Sequence, residues 1–139
     1  MALIDKYCTS AGEGSHDGTL NNAWTLIEAN DNAVAGERVN LSGDFAVSAT
    51  LILSGGVAPA SGMEWRGHSG TIGDAGFANI TCDPTIAMQL DGSGTVYNQL
   101  NCVGNIQYAT PFNNEAPGPK IFNCKFENTH AEGGAFSQG

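Results

Sequence analysis

Between Asn79 and Asn128 the chain repeats one short pattern of apolar and polar positions. Asn79-Ile80-Thr81-Cys82, Gln99-Leu100-Asn101-Cys102 and Ile121-Phe122-Asn123-Cys124 each set a large apolar residue two places before a cysteine. Alternation of this kind is the signature of a β-strand with one face buried. The cysteines follow one another at intervals of 20 and 22 residues, and recurrence at a near-constant period marks stacked repeats. The pattern extends backwards with unequal steps of 24 (Leu41 to Trp65) and 17 (Trp65 to Cys82), as expected where corner loops vary in length. One inward column therefore reads Leu41, Trp65, Cys82, Cys102, Cys124, and a second reads Val39, Met63, Ile80, Leu100, Phe122. Thr81, Asn101 and Asn123 face outward as a hydrogen-bonding ladder. Second-face strands fall at residues 86–90 and 106–108, with protruding loops at 54–61 and 110–119.

Before Glu37 the pattern differs. A short strand at 6–10 leads into a polar, glycine-rich loop at 11–18. Residues 19–36 hold the one good helix candidate. Ala23, Leu26, Ile27, Asn30, Ala33 and Val34 share a mostly apolar face, Thr19 can cap the start and Gly36 can end it. Laid across the first strand, this helix would cover an otherwise open edge, with Trp24 in the core. Glu13, His16 and Asp17 in the loop invite a metal-site reading, but turn chemistry accounts for them better. At the far end, residues 133–139 begin what looks like another turn with no cap. An open end predicts either a longer protein or a covering subunit, with Phe126, His130 and Phe136 as candidate partner contacts.

Composition narrows the function classes. Five Lys and Arg stand against fourteen Asp and Glu, a formal net charge of −9. Such a chain lacks the basic clusters that hold phosphate backbones, so nucleic acid is not an expected partner. Residues 1–6 lack a charged-then-apolar leader, and no apolar run is long enough for a membrane helix. No secretory signal and no membrane insertion are expected. Cys8, Cys82, Cys102 and Cys124 include no C-x-x-C pair, so metal and redox sites are not expected. They read as reduced, buried, small apolar side chains.

Tyr7-Cys8-Thr9-Ser10-Ala11-Gly12, the Asp17-Gly18 turn, Ala23-Trp24 and Ala35-Gly36-Glu37-Arg38-Val39-Asn40-Leu41 resemble the start of pectate-lyase-like right-handed β-helix proteins. Proteins of that superfamily carry a strand, a glycine-rich loop and a capping helix before a Pro-Gly-Asp-Val step into the first strand. Here Ala-Gly-Glu stands at that step, and Gly43-Asp44-Phe45 where Gly-Thr-Tyr is common. With the periodicity, the resemblance implies an all-β fold: a right-handed single-stranded parallel β-helix of about four or five turns. Residues 1–139 form one domain, with strand, loop and short N-terminal capping α-helix at 1–36 and β-helix rungs at 37–139.

The superfamily holds lyases, hydrolases and viral structural proteins, so the fold does not select an activity. Its enzymes use clustered aspartates, calcium or an arginine on one sheet face. Here the outward positions bring Glu64, Arg66 and Asp83 onto neighbouring strands as the one acid–base candidate. Ordinary cross-strand pairing explains them better. His68, after Gly67, reads as a surface turn residue. The expectation is a non-enzymatic structural or binding module without cofactor or metal. Resemblance suggests a bacteriophage virion as its place, in a head-decoration protein, tail fibre or tailspike. Its partners would be other virion proteins or itself, as a homo-oligomer such as a trimer, with a host-surface glycan as a further candidate. The alternative is a fragment of a polysaccharide lyase or hydrolase.

Overall fold

The structure, a computed structural model, describes residues 3–48, 51–53, 63–71, 74, 76–82, 87–90, 95–108 and 120–128. Alternation drives the strands. In Glu37–Ser42 (β2) Val39 and Leu41 are buried, and in Asp44–Val47 (β3) Phe45 and Val47 are. In Ala78–Cys82 (β6) burial falls on Ala78, Ile80 and Cys82, while Thr81 faces solvent.

All pairings between the described strands are parallel. Ile4–Thr9 (β1), β2, Glu64–His68 (β5), Val96–Asn98 (β8) and Lys120–Phe122 (β10) form a five-stranded sheet in that spatial order. The second sheet has six strands. It runs β3, β6, Leu100–Tyr108 (β9), Ala87–Leu90 (β7), Leu51–Leu53 (β4), with Lys125–Asn128 (β11) also paired to β9. One core joins the sheets. Val39, Leu41, Trp65 and Tyr97 enter it from the first, and Phe45, Val47, Ile80, Cys82, Leu100 and Cys102 from the second. Trp65 is fully buried. Truncating it to alanine would cost about 3–5 kcal/mol on the scale of large-to-small core changes.

The chain crosses between the sheets at residues with left-handed backbone. Gly43 (φ 100°) separates β2 from β3, Gln99 (φ 56°) separates β8 from β9, and Asn123 (φ 50°) follows β10. Left-handed backbone is easy for glycine and uncommon for other residues, so these positions are fixed corners. Backbone hydrogen bonds stack the corners: Asn79 N to Gly43 O at 3.1 Å, Ala78 N to Gln99 O at 3.2 Å and Gln99 N to Phe122 O at 3.3 Å.

The helix is shorter and later than expected. It spans Leu26–Asn32 (α1), with Thr25 rather than Thr19 as N-cap. Thr25 Oγ1 accepts from Glu28 N and Thr25 N donates to Glu28 Oε2, a capping box legible in the sequence Thr25-Leu26-Ile27-Glu28. Leu26 and Ala29 are buried against the core. The edge of β1 is covered not by the helix but by the extended segment before it. Tyr7 N donates to Gly18 O, Trp24 N to Tyr7 O and Thr9 N to Trp24 O, each at 2.9 Å. That segment satisfies the edge's donors and acceptors directly, which a helix cannot do.

The expected fold class is corrected. The described residues do not form an all-β, right-handed single-stranded β-helix. They form two open parallel sheets and one helix, an α/β-like arrangement, with no closed or solenoid sheet among them. A period of about twenty residues reports which strands stack in parallel, not whether the stack closes around an axis. The expected columns are corrected too. Cys102 lies opposite Ile80, not Cys82, and its other neighbour is Phe126. Val39 lies opposite Trp65, and Trp65 opposite Tyr97. Phe122, expected inside, is 52% exposed.

Candidate functional site

The outer face of the five-stranded sheet carries the chain's most concentrated polar chemistry. Strands β1, β2 and β5 align Asp5 with Arg38 and Arg38 with Glu64. The next outward row aligns Tyr7, Asn40, Arg66 and Asn98. Alternate residues on parallel strands present one face, so both rows follow from sequence period and register together.

Neighbours on adjacent strands engage all of these side chains except Tyr7. Arg38 Nε donates to Glu64 Oε1 at 2.5 Å, and Arg38 Nη1 lies 3.5 Å from Asp5 Oδ1. Arg66 donates through Nε and Nη2 to Asn40 Oδ1, at 3.3 and 2.9 Å. Asn40 is 1% exposed and donates onward to Asp5 Oδ1 and to the Lys6 carbonyl, both at 3.0 Å. Asn98 reaches Glu64 Oε2 at 3.5 Å, and Asn123 reaches Asn98 at 3.3 Å. The Glu64 carboxylate holds the Arg38 guanidinium even more firmly in its charged form.

Of the sequence candidates, Glu64 and Arg66 thus share a face, while Asp83 lies outside the described residues. The two are engaged separately, Glu64 with Arg38 and Arg66 with Asn40. Phe126 lies in β11, and His130 and Phe136 fall outside the described residues. The outward amide ladder exists on the second sheet, in a different register. Asn101 donates to Asn79 at 3.0 Å and Asn79 to Asp44 at 2.8 Å, whereas Asn123 bonds Asn98.

Beside the charged rows the same face opens into a cavity of about 500 Å³. Its floor is Thr9, Asn40, Ser42 and His68 on three adjacent strands, and its walls are Glu13, Leu20 and Asn21 of the N-terminal loop and Gly70 and Thr71. His68 is not a surface turn residue. It is the last residue of β5, opposite Ser42, and only 7% exposed. Its Nδ1 is buried without a hydrogen-bond partner among the described residues. Burial holds its pKa below the usual histidine value. Asp74 pulls the other way, and Arg66 adds to the depression. The imidazole is therefore neutral near neutral pH.

The wall at Gly70 and Thr71 is pinned by Asp74. Its carboxylate accepts from the backbone N–H groups of Ser69, Gly70, Thr71 and Gly76 at 2.9–3.1 Å, and these bonds push its pKa far down. In the opposite loop, His16 Nδ1 sits 2.9 Å from Glu28, and Asp17 accepts from Thr19. Of the three loop side chains that invite a metal reading, His16 and Asp17 thus serve different partners. Among the described residues no group of three His, Cys, Asp or Glu is placed to hold a metal ion. Among the described residues no helix is long and apolar enough to cross a membrane.

The cysteines carry no site. All four are free, and burial raises the thiol pKa of each, that of Cys82 to about 11. Thiols held protonated are poor nucleophiles and poor ligands. Compared with known proteins, the chain matches no family model, no curated protein and no solved structure.

Proposed function

We propose that the chain is a non-catalytic structural module whose stacked parallel strands form a stiff body with charge-neutralised faces. The observation that carries this reading is the engagement of Glu64. A general acid or base needs a carboxyl free to exchange a proton with a substrate. Glu64 is instead bound to Arg38, and the other described acid in those rows, Asp5, shares the same Arg38 and Asn40. Cross-strand pairs of this kind stabilise a sheet. A bacteriophage virion, in head decoration or tail, is the setting we propose. It draws on the acidic, sparsely charged composition and on the family resemblance of residues 7–12 and 35–41. Self-association is part of the proposal, supported by exposed Phe122 on β10, the last strand of its sheet in the described residues.

Two measurements test it. Glu64→Gln should lower stability by about 1–2 kcal/mol, as expected for a part-buried charge-assisted bond. Neither wild type nor variant should release reducing ends from neutral or acidic polysaccharides. Cleavage by the wild type that Glu64→Gln abolishes would establish the enzyme reading instead. Sedimentation of the full chain should show an oligomer, and a monomer at micromolar concentration would refute the assembly.

A further inference from the structure

We propose that the cavity over β1, β2 and β5 binds a small, uncharged, hydroxyl-rich molecule about the size of one sugar ring. This goes beyond the structural role and depends on neither its virion setting nor its oligomeric state. Three observations lead to it.

The first is size and place. A volume of about 500 Å³ lies within the range of small-molecule sites. The cavity is framed by three hydrogen-bonded strands and by a wall that Asp74 fixes, so its shape is built rather than incidental.

The second is a contrast within one sheet face. In the charged rows each long polar side chain is engaged by a neighbour, whereas Tyr7, Thr9, Glu13, Asn21 and Ser42 around the cavity are tied to no other side chain among the described residues. His68, nine-tenths buried at the floor, has a nitrogen with no partner. Leaving a buried polar atom unsatisfied is costly. A half-turn of the ring exchanges Nδ1 and Nε2 with the carbon positions, so either nitrogen can be brought to a ligand.

The third is chemical type. The lining mixes hydroxyls, which both donate and accept, with a neutral imidazole and the apolar surfaces of Tyr7 and Leu20. Ligand hydroxyls can satisfy the first two, and ring C–H groups can rest on the last. Among the described residues no Lys or Arg lines the cavity and one carboxylate, Glu13, does. An anionic ligand would meet repulsion without a counter-charge, and the chain's net charge of −9 adds to it.

Nuclear magnetic resonance titration of the isotopically labelled full chain tests the proposal. The probes are D-galactose, D-mannose and myo-inositol, with D-galacturonate as the anionic comparator. At least one neutral probe should shift the amide signals of Thr9, Asn21, Ser42 and Thr71, and galacturonate should bind about tenfold more weakly. Thr9→Val and Ser42→Ala should each weaken the neutral probe by about tenfold, the effect of losing one hydrogen bond. Both are small changes on half-buried side chains, and unchanged signals away from the cavity would confirm the fold. The proposal is overturned if no neutral probe shifts these signals or if galacturonate binds as well. Shifts elsewhere on the surface, or both variants binding like wild type, would also overturn it.

Discussion

Substituting Gly67 by alanine should be the most damaging single-methyl change in the first sheet. Gly67 lies in β5 opposite Leu41, next to the floor of the cavity. Its backbone is not left-handed, so the penalty is purely steric. An added Cβ would overlap the Gln99 carbonyl oxygen, lie 2.6 Å from Ala78 N and 3.1 Å from Ala78 Cβ. Those two backbone groups are bonded to each other at the corner, N to O at 3.2 Å. Neither is the movable tip of a side chain, so the strand must withdraw or the corner must open. Overpacking of this kind costs about 1–3 kcal/mol, and weakening the corner hydrogen bond adds about 1, giving about 2–4 kcal/mol in total. Equilibrium urea unfolding reads this as a lower midpoint at unchanged slope. Two other glycines calibrate the result. At Gly70 an added Cβ would approach nothing among the described residues closer than Asp74 Oδ2 at 4.0 Å, and Gly70→Ala should stay within about 0.5 kcal/mol of wild type. At Gly43 the space is open but φ is 100°, and Gly43→Ala should cost about 1 kcal/mol from backbone strain. If Gly67→Ala proved no less stable than Gly70→Ala, the close approach of β5 to the Ala78–Gln99 corner would be wrong.

Two further predictions follow from the buried titratable groups. His68 has a folded pKa below its unfolded value, so below about pH 6.5 the unfolded chain binds the extra proton first. Its stabilising effect is complete above that pH and is lost as pH falls towards the folded pKa. His68→Gln should flatten the stability profile just below about pH 6.5, and an unchanged slope would place His68 in water. The buried thiols of Cys8, Cys82 and Cys102 should resist Ellman's reagent in the native state at about pH 8 and react on unfolding, with half-buried Cys124 modified first. Fast native labelling of Cys102 would contradict its burial.

The cavity shows why a site can be hidden from its own sequence. Arg66 and Glu64 were legible because they lie two apart on one strand and so share a face. His68 looks like a turn residue in the sequence because Gly67 before it and Ser69-Gly70 after it carry the marks of a turn. Glu13, Leu20 and Asn21, which line the cavity with it, sit far away in the chain and are brought to the same face only when β1 pairs with β2. Nothing in the sequence singles out Asn40. Its role as the link between Asp5 and Arg66 exists only across three strands. The capping box, by contrast, was written at Thr25 and Glu28, and the more distant Thr19 was favoured only because the apolar face extends past the true start.

By itself the sequence determined that short strands recur, that Ile80, Leu100 and Trp65 point inward, and that a helix precedes Glu37. It could not determine register or closure. A slip of one residue would turn every inward side chain to solvent, and alternation forbids it. A slip of two leaves inside and outside unchanged, so Ile80 and Cys82 compete equally for the place opposite Cys102. Only the folded corners at Gly43, Gln99 and Asn123 choose between them, because their backbone conformations and hydrogen bonds fix where each strand begins. The same tertiary register brings Arg38 to Glu64 and leaves a cavity above His68.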